Sequence, residues 1–215
     1  MDFDNLLYLN DDKINTIFVL ATRWGAYFGG INVFNYEMCR TLGKVYKNKK
    51  IYCFVHEVNA DEIEDAKKNN IELVSILDYR DVDIENFSKK NVLFPDIIIG
   101  HDIFTGAIAN KCRNNLKNLI SGVISHYTYE LYAALKGKTG EEVEKIKHQQ
   151  DVILKEADIV FAVGPKLFNS LKDSRINNGI ELNPGCFKTN IKIFTEDNLG
   201  DWSGYTNSYL EFKNF

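Results

Sequence analysis

The sequence predicts a Rossmann-like, doubly wound α/β domain, in which a parallel sheet carries helices on both faces. Three observations predict it. Short, almost unbroken apolar runs recur along the 215 residues, and such runs suit strands buried on both faces. Stretches with helical spacing separate them, so the chain alternates strand and helix as βαβ units do. Three of the four histidines stand at the ends of those runs, where an open parallel sheet places its ligands.

Taken in order, residues 14–22 (INTIFVLAT) form the first predicted strand, and residues 23–30 break it. Val33, Tyr36, Glu37, Arg40 and Leu42 then fall at helical spacing up to Gly43. Residues 51–56 (IYCFVH) are a second strand. Residues 60–70 are a helix, acidic at its start and basic at its end, which stops at Asn69-Asn70 because asparagine tolerates the left-handed turn. Strands follow at 71–77 and 95–100 (PDIIIG), a helix at 105–112, and a fifth strand at 119–125 (LISGVIS). Val143, Ile146, Ile153, Leu154 and Ala157 place one apolar stripe on a long helix over 141–157. Residues 159–163 (IVFAV) are a sixth strand, 165–171 a helix opened by proline, and 180–182 a last short strand. Beyond Pro184-Gly185 neither period persists. The domain is therefore expected over 1–190, with its regular part over about 14–185, and residues 191–215 are expected to be a linker or a packed extension.

Composition narrows the function. Twenty-six basic against 30 acidic side chains leave a net charge of −4, which argues against a dedicated nucleic-acid binder. No window reaches the ~18 consecutive apolar residues of a membrane span, and the acidic start does not read as an export signal. The four cysteines (Cys39, Cys53, Cys112, Cys186) form no CxxC pair and have no histidine at zinc-ligand spacing. Free thiols, a cytoplasmic location and no metal site are the expectations.

The candidate residues cluster in the loops after the strands, residues 23–30, 56–59, 101–105, 126–132 and 164–165. Gly29 and Gly30 precede a helix, where backbone N–H groups and the helix dipole favour an anion such as phosphate; a plain tight turn fits the same residues equally well. GxGxxG is absent, and the one GKT, Gly137-Lys138-Thr139, has Tyr132 where GxxxxGK[ST] needs glycine, which weakens a dinucleotide or P-loop reading. His126 ends the fifth strand and could donate to a sugar hydroxyl, act as a base near neutral pH, or simply bond to neighbouring backbone. His101-Asp102 ends the fourth, and Asp102 reads best as the cap of the next helix. His56 reads as structural and His148 as solvated.

Three stretches carry a resemblance. ATRWGAYFGGINVFNYEMCRTLGK, FPDIIIGHDIFTGAIANKC, and ISHYTYE followed by LKEADIVFAVGPKLFNSL resemble, in order and spacing, the amino-terminal half of retaining GT-B glycosyltransferases of the family 4 type. ELNPG matches the segment that leads out of their first domain. The likeness covers about residues 14–190 and implies one half of a GT-B fold. It implies Gly29 and Gly30 at the donor diphosphate, His126 at the transferred sugar as the catalytic position, and His101 and Asp102 on the acceptor side. Trp24, Tyr27 and Tyr127 would face the acceptor by location. The implied partners are a nucleotide-diphosphate sugar and a glycan or small-molecule acceptor, with no cofactor, no essential metal and no nucleic acid.

Such enzymes have a second, donor-binding domain, which is expected near where this chain ends. The chain is therefore expected to be incomplete for catalysis alone, with a C-terminal domain or a partner chain supplying the rest, and to lie in the cytoplasm or at the periphery of a membrane. The alternative is a non-catalytic Rossmann module that binds a nucleotide or glycan or recruits a partner protein. An NAD-type oxidoreductase or epimerase reading is weaker, because GxGxxG is missing.

Overall fold

A computed structural model describes residues 14–76 and 80–182. Seven strands form one sheet, all parallel: β1 (Thr16–Leu20), β2 (Lys50–Val55), β3 (Glu72–Ser75), β4 (Ile97–His101), β5 (Ile120–Ser125), β6 (Ile159–Val163) and β7 (Gly179–Leu182). Their order is β3-β2-β1-β4-β5-β6-β7. The chain winds outward on one side of β1, then crosses to β4 and winds the other way. The reversal between β1 and β4 opens a crevice at their carboxyl ends.

The described helices are α1 (Gly30–Val45), α2 (Ala60–Lys68), α3 (Asp81–Asn91), α4 (Asp102–Asn115), α5 (Tyr129–Leu135), α6 (Gly140–Glu156) and α7 (Pro165–Asp173). The period of two along β1 sends its residues to opposite layers. Ile17, Val19 and Ala21 pack with Cys39 of α1 and Ala66 of α2, whereas Phe18 and Leu20 pack with Ile84 of α3 and Ile108 of α4. Val123, Val160 and Ala162 meet Ile153 and Leu154 of α6 and Leu171 of α7. Every residue of β1 and β4 is buried, as continuous apolar runs require.

The doubly wound parallel sheet is as predicted, with three local differences. α3 and α5 fall where the sequence reading had no helix. α1 runs through Gly43 to Val45, because Gly43 lets the helix lie against the backbone of Asn69: a Cβ there would sit 3.0 Å from the Asn69 carbonyl carbon and closer still to its oxygen. Residues 191–215, together with Cys186, lie outside the described residues. Cys39, Cys53 and Cys112 are free and buried. No helix among the described residues is long and apolar enough to cross a membrane.

α6 starts with a reciprocal cap: the Thr139 hydroxyl accepts from the Glu142 amide at 3.3 Å, and Glu142 Oε2 accepts from the Thr139 amide at 2.9 Å. Removing it with Thr139→Ala should lower stability by about 1 kcal/mol in urea unfolding without changing the m-value.

Candidate active site at the carboxyl ends of the strands

Four elements converge on the crevice: the loop after β1, the first two turns of α1, the end of β4 and the end of β5. Asn32 ties the first two together. Its Oδ1 accepts from the Thr22 hydroxyl and the Arg23 amide, both at 3.0 Å, and its Nδ2 donates to the Phe28 carbonyl at 2.8 Å. Gly29 then starts α1 with φ 94°, a left-handed value that favours glycine, and a Cβ there would meet nothing within 4 Å. Gly29, the N-cap of α1, has no side chain to cap the helix, and the first turn carries no acidic residue.

His101 and His126 meet at the centre. His101 Nδ1 lies 2.9 Å from His126 Nε2, and His101 Nε2 lies 3.0 Å from Asn35 Oδ1. The amide orientation of Asn35 fixes the tautomers, since its Nδ2 donates to Cys53 Sγ and its Oδ1 accepts from Cys39 Sγ. His101 therefore donates from Nε2 to Asn35, its Nδ1 accepts, and His126 must donate from Nε2. His126 Nδ1 is left as an acceptor with no partner among the described residues. Phe34, one turn along α1 from Gly30, packs edge-on against the His126 ring with centroids 4.8 Å apart. Gly30 and His126 thus border the same crevice.

Burial and the neighbouring His126 push the His101 pKa well below the usual histidine range, and burial lowers that of His126 to about 4. Both rings are neutral at pH 7. Asp102, 2% exposed and at φ 48°, accepts the His126 backbone N–H at Oδ1 (2.9 Å), while its buried Oδ2 has no partner. With one hydrogen bond and little solvent, its carboxyl is pushed up to about 7. The proton it then carries belongs on Oδ2.

The family model described as "Family 4 Glycosyltransferase in conflict systems" matches residues 18–197, most of the chain. The chain belongs to this family of glycosyltransferases. No curated protein sequence matches it. The crystal structure of Glycyrrhiza uralensis UGT73P12 complexed with glycyrrhetinic acid 3-O-monoglucuronide superposes with a TM-score of 0.51 at 6% identity, covering 80% of this chain and 49% of that one. At that identity the likeness establishes a shared fold, and the chain spans about half the length of the plant protein. A carbohydrate kinase from Agrobacterium tumefaciens aligns with a TM-score of 0.45 at 12% identity, over 80% of this chain and 71% of its own.

Within this family 4 domain the predicted site residues separate into two groups. His101, Asp102 and His126 are joined by hydrogen bonds at the ends of β4 and β5, and Gly29 and Gly30 open α1, whose Phe34 packs on His126. Trp24 does not face the crevice: the ring is 1% exposed, packs edge-on to Tyr36 at 5.0 Å and donates from Nε1 to Asp65 at 3.0 Å. Its apolar area serves the core, and it offers an acceptor no face. Tyr27 is 96% exposed on the loop after β1. Tyr127 stacks on Tyr129 with centroids 4.5 Å apart, and its carbonyl is held by Gln150 of α6 at 2.9 Å.

Asp102 does not cap α4, contrary to the sequence reading. His101 occupies the N-cap position, and the Asp102 carboxyl turns to His126 instead. Thr105 braces this start, accepting from the His101 amide at 2.6 Å. Sequence reasoning missed Asn32 and Asn35. Their spacing of three within a helix that opens at the glycine loop was the available signal.

Proposed function

We propose that this chain is the acceptor-side domain of a glycosyltransferase that moves a sugar from a nucleotide-diphosphate donor to a glycan or small-molecule acceptor. The observation that carries this reading is the convergence of a glycine-opened helix start and a hydrogen-bonded histidine pair at the carboxyl ends of β1, β4 and β5. The open space at Gly29 admits a diphosphate close to the backbone, and the first turn of α1 stabilises the negative charge that grows on the leaving group.

His126 acts as a neutral positioning ligand. Its Nε2–H is committed to His101, so Nδ1 accepts a hydrogen bond from a sugar hydroxyl. A pKa of about 4 makes it a poor base at neutral pH, which removes the general-base role from the reading. Asn35 and His101 hold the ring's tautomer, and Asp102 holds its backbone. Metal-independent transfer belongs to the same proposal and predicts insensitivity to chelators. The donor's nucleoside side falls to a second domain or a partner chain.

The test is release of nucleotide diphosphate from a panel of donor sugars. This chain alone should run near the buffer rate, and adding a donor-side domain should raise it. His126→Gln should then cut the rate about 100-fold, the size expected for one oriented polar contact to the reacting sugar, with little change in thermal stability. Donor binding without release in every mixture would favour the non-catalytic module instead.

A further inference from the structure

At the other end of the sheet, six lysines gather around two adjoining hollows. One, of about 350 Å³, is lined by Gly43, Lys44, Lys47, Lys68, Asn69 and Asn70. The other, of about 330 Å³, is bordered by Lys49, Lys50 and Lys67, and it shares Asn70 with the first. Glu72 is the one acidic residue in either lining, and Glu64 pairs with Lys68 at 2.8 Å. The whole chain carries −4, so this concentration of positive charge is local and invisible in the composition.

We propose that this lysine-lined double hollow binds the phosphodiester backbone of a nucleic-acid duplex. Two joined concavities suit an elongated anion that crosses both, where a compact phosphate would fill only one. Protein interfaces are depleted in lysine, the residue that dominates this lining. A membrane-binding face would add exposed aromatic or leucine side chains, and Val45 is the one large apolar residue exposed in this stretch of α1. Tyr52, the one ring in the lining, is engaged with Phe18 and Phe87 at 5.5 and 5.8 Å, so no stacking platform for unpaired bases is present. Recognition is therefore by phosphates and independent of sequence. Lys50 opens β2, whose six residues run about 20 Å toward the crevice end, so a bound duplex would leave the crevice open.

Fluorescence anisotropy of a short fluorescein-labelled DNA duplex with the full chain tests this. Binding in the ~10⁻⁴–10⁻⁶ M range is expected, with log K falling against log salt at a slope of about −3 to −5. The triple change Lys44→Glu, Lys47→Glu, Lys67→Glu should weaken it at least ~30-fold and flatten the slope by about three, one unit per lost phosphate contact. The milder Lys→Gln set at the same positions should weaken it less and serves if the first variant does not fold. Reversing Lys145, Lys155 and Lys166, which are exposed elsewhere, should leave affinity within about twofold on the same counterion argument. No binding, binding unchanged by the patch variants, or preference for phosphatidylserine vesicles over the duplex would overturn the proposal.

Discussion

Gly100→Ala is expected to destabilise the protein by about 3 kcal/mol, enough to lower the melting temperature by about 10 °C in a domain of this size. Gly100 lies in β4 directly beneath the first turn of α4. A Cβ there would stand 2.7 Å from the Gly106 amide nitrogen and closer still to the Thr105 carbonyl. These are backbone atoms, so no side chain can rotate away, and the helix must lift off the strand. The same shift carries His101 and Asp102 with it, so the pairing of the two imidazoles should loosen and the His126 ring should titrate closer to its ordinary value. Gly140→Ala is the control: a Cβ there meets nothing within 4 Å, and stability should change by less than about 0.5 kcal/mol. Calorimetric melts of the two variants decide it. A Gly100→Ala protein that melts with the wild type would show that α4 does not rest on this strand.

The second large effect is on acid stability. Between about pH 4 and 6.5 an unfolded chain protonates both site histidines and ionises Asp102, binding two protons at these three positions. The folded chain keeps both rings neutral and Asp102 protonated, binding one. The difference is 2 − 1 = 1, so stability rises with pH by about 1.4 kcal/mol per unit across this window. The histidine contribution is fully present above pH 6.5 and is lost as pH falls toward the lowered folded values. Asp102 works in the opposite sense. Its raised pKa stabilises the fold at low pH and ceases to do so as pH climbs through about 7.

Asp102→Asn removes that opposing proton. The folded state then binds none of the two, and the slope should double to about 2.7 kcal/mol per unit. Urea unfolding at several pH values between 4.5 and 6.5 measures both slopes, and the other carboxylates cancel in the comparison. Equal slopes in the two proteins would mean that Asp102 is ionised in the fold and that its lone Oδ2 is not where a proton resides.

The strands were legible because their burial is written in composition. TIFVL and IIIGH are buried along their whole length, and only a strand inside a two-faced sheet tolerates that pattern. α1 was legible as a helix but not in its buried face. Apolar spacing pointed to Val33, Tyr36 and Leu42, whereas the buried residues are Asn32, Asn35, Cys39 and Gly43. A stripe of amides and small residues carries no hydrophobic signal. It is buried because Asn32 satisfies the loop after β1, Asn35 satisfies His101, and Gly43 admits a neighbouring backbone. α3 carried Asp81 and Asp83 at its start and Lys89 and Lys90 at its end, charges that match the helix dipole and could have marked it.

By itself the amino-acid order determined the alternation of strand and helix, the parallel sheet, and the placing of Gly29-Gly30, His101 and His126 at strand ends. All of these follow from local periodicity and from the handedness of βαβ crossovers. Only the tertiary structure decided which side chains meet: that His101 bonds His126 and Asn35, that Asp102 serves the backbone of His126 and not its own helix, and that Trp24 belongs to the core. Those pairings join residues far apart in the chain, and what sets them is the depth of burial. Burial forces each polar group to find a partner, and it lowers the pKa of the two histidines while raising that of Asp102.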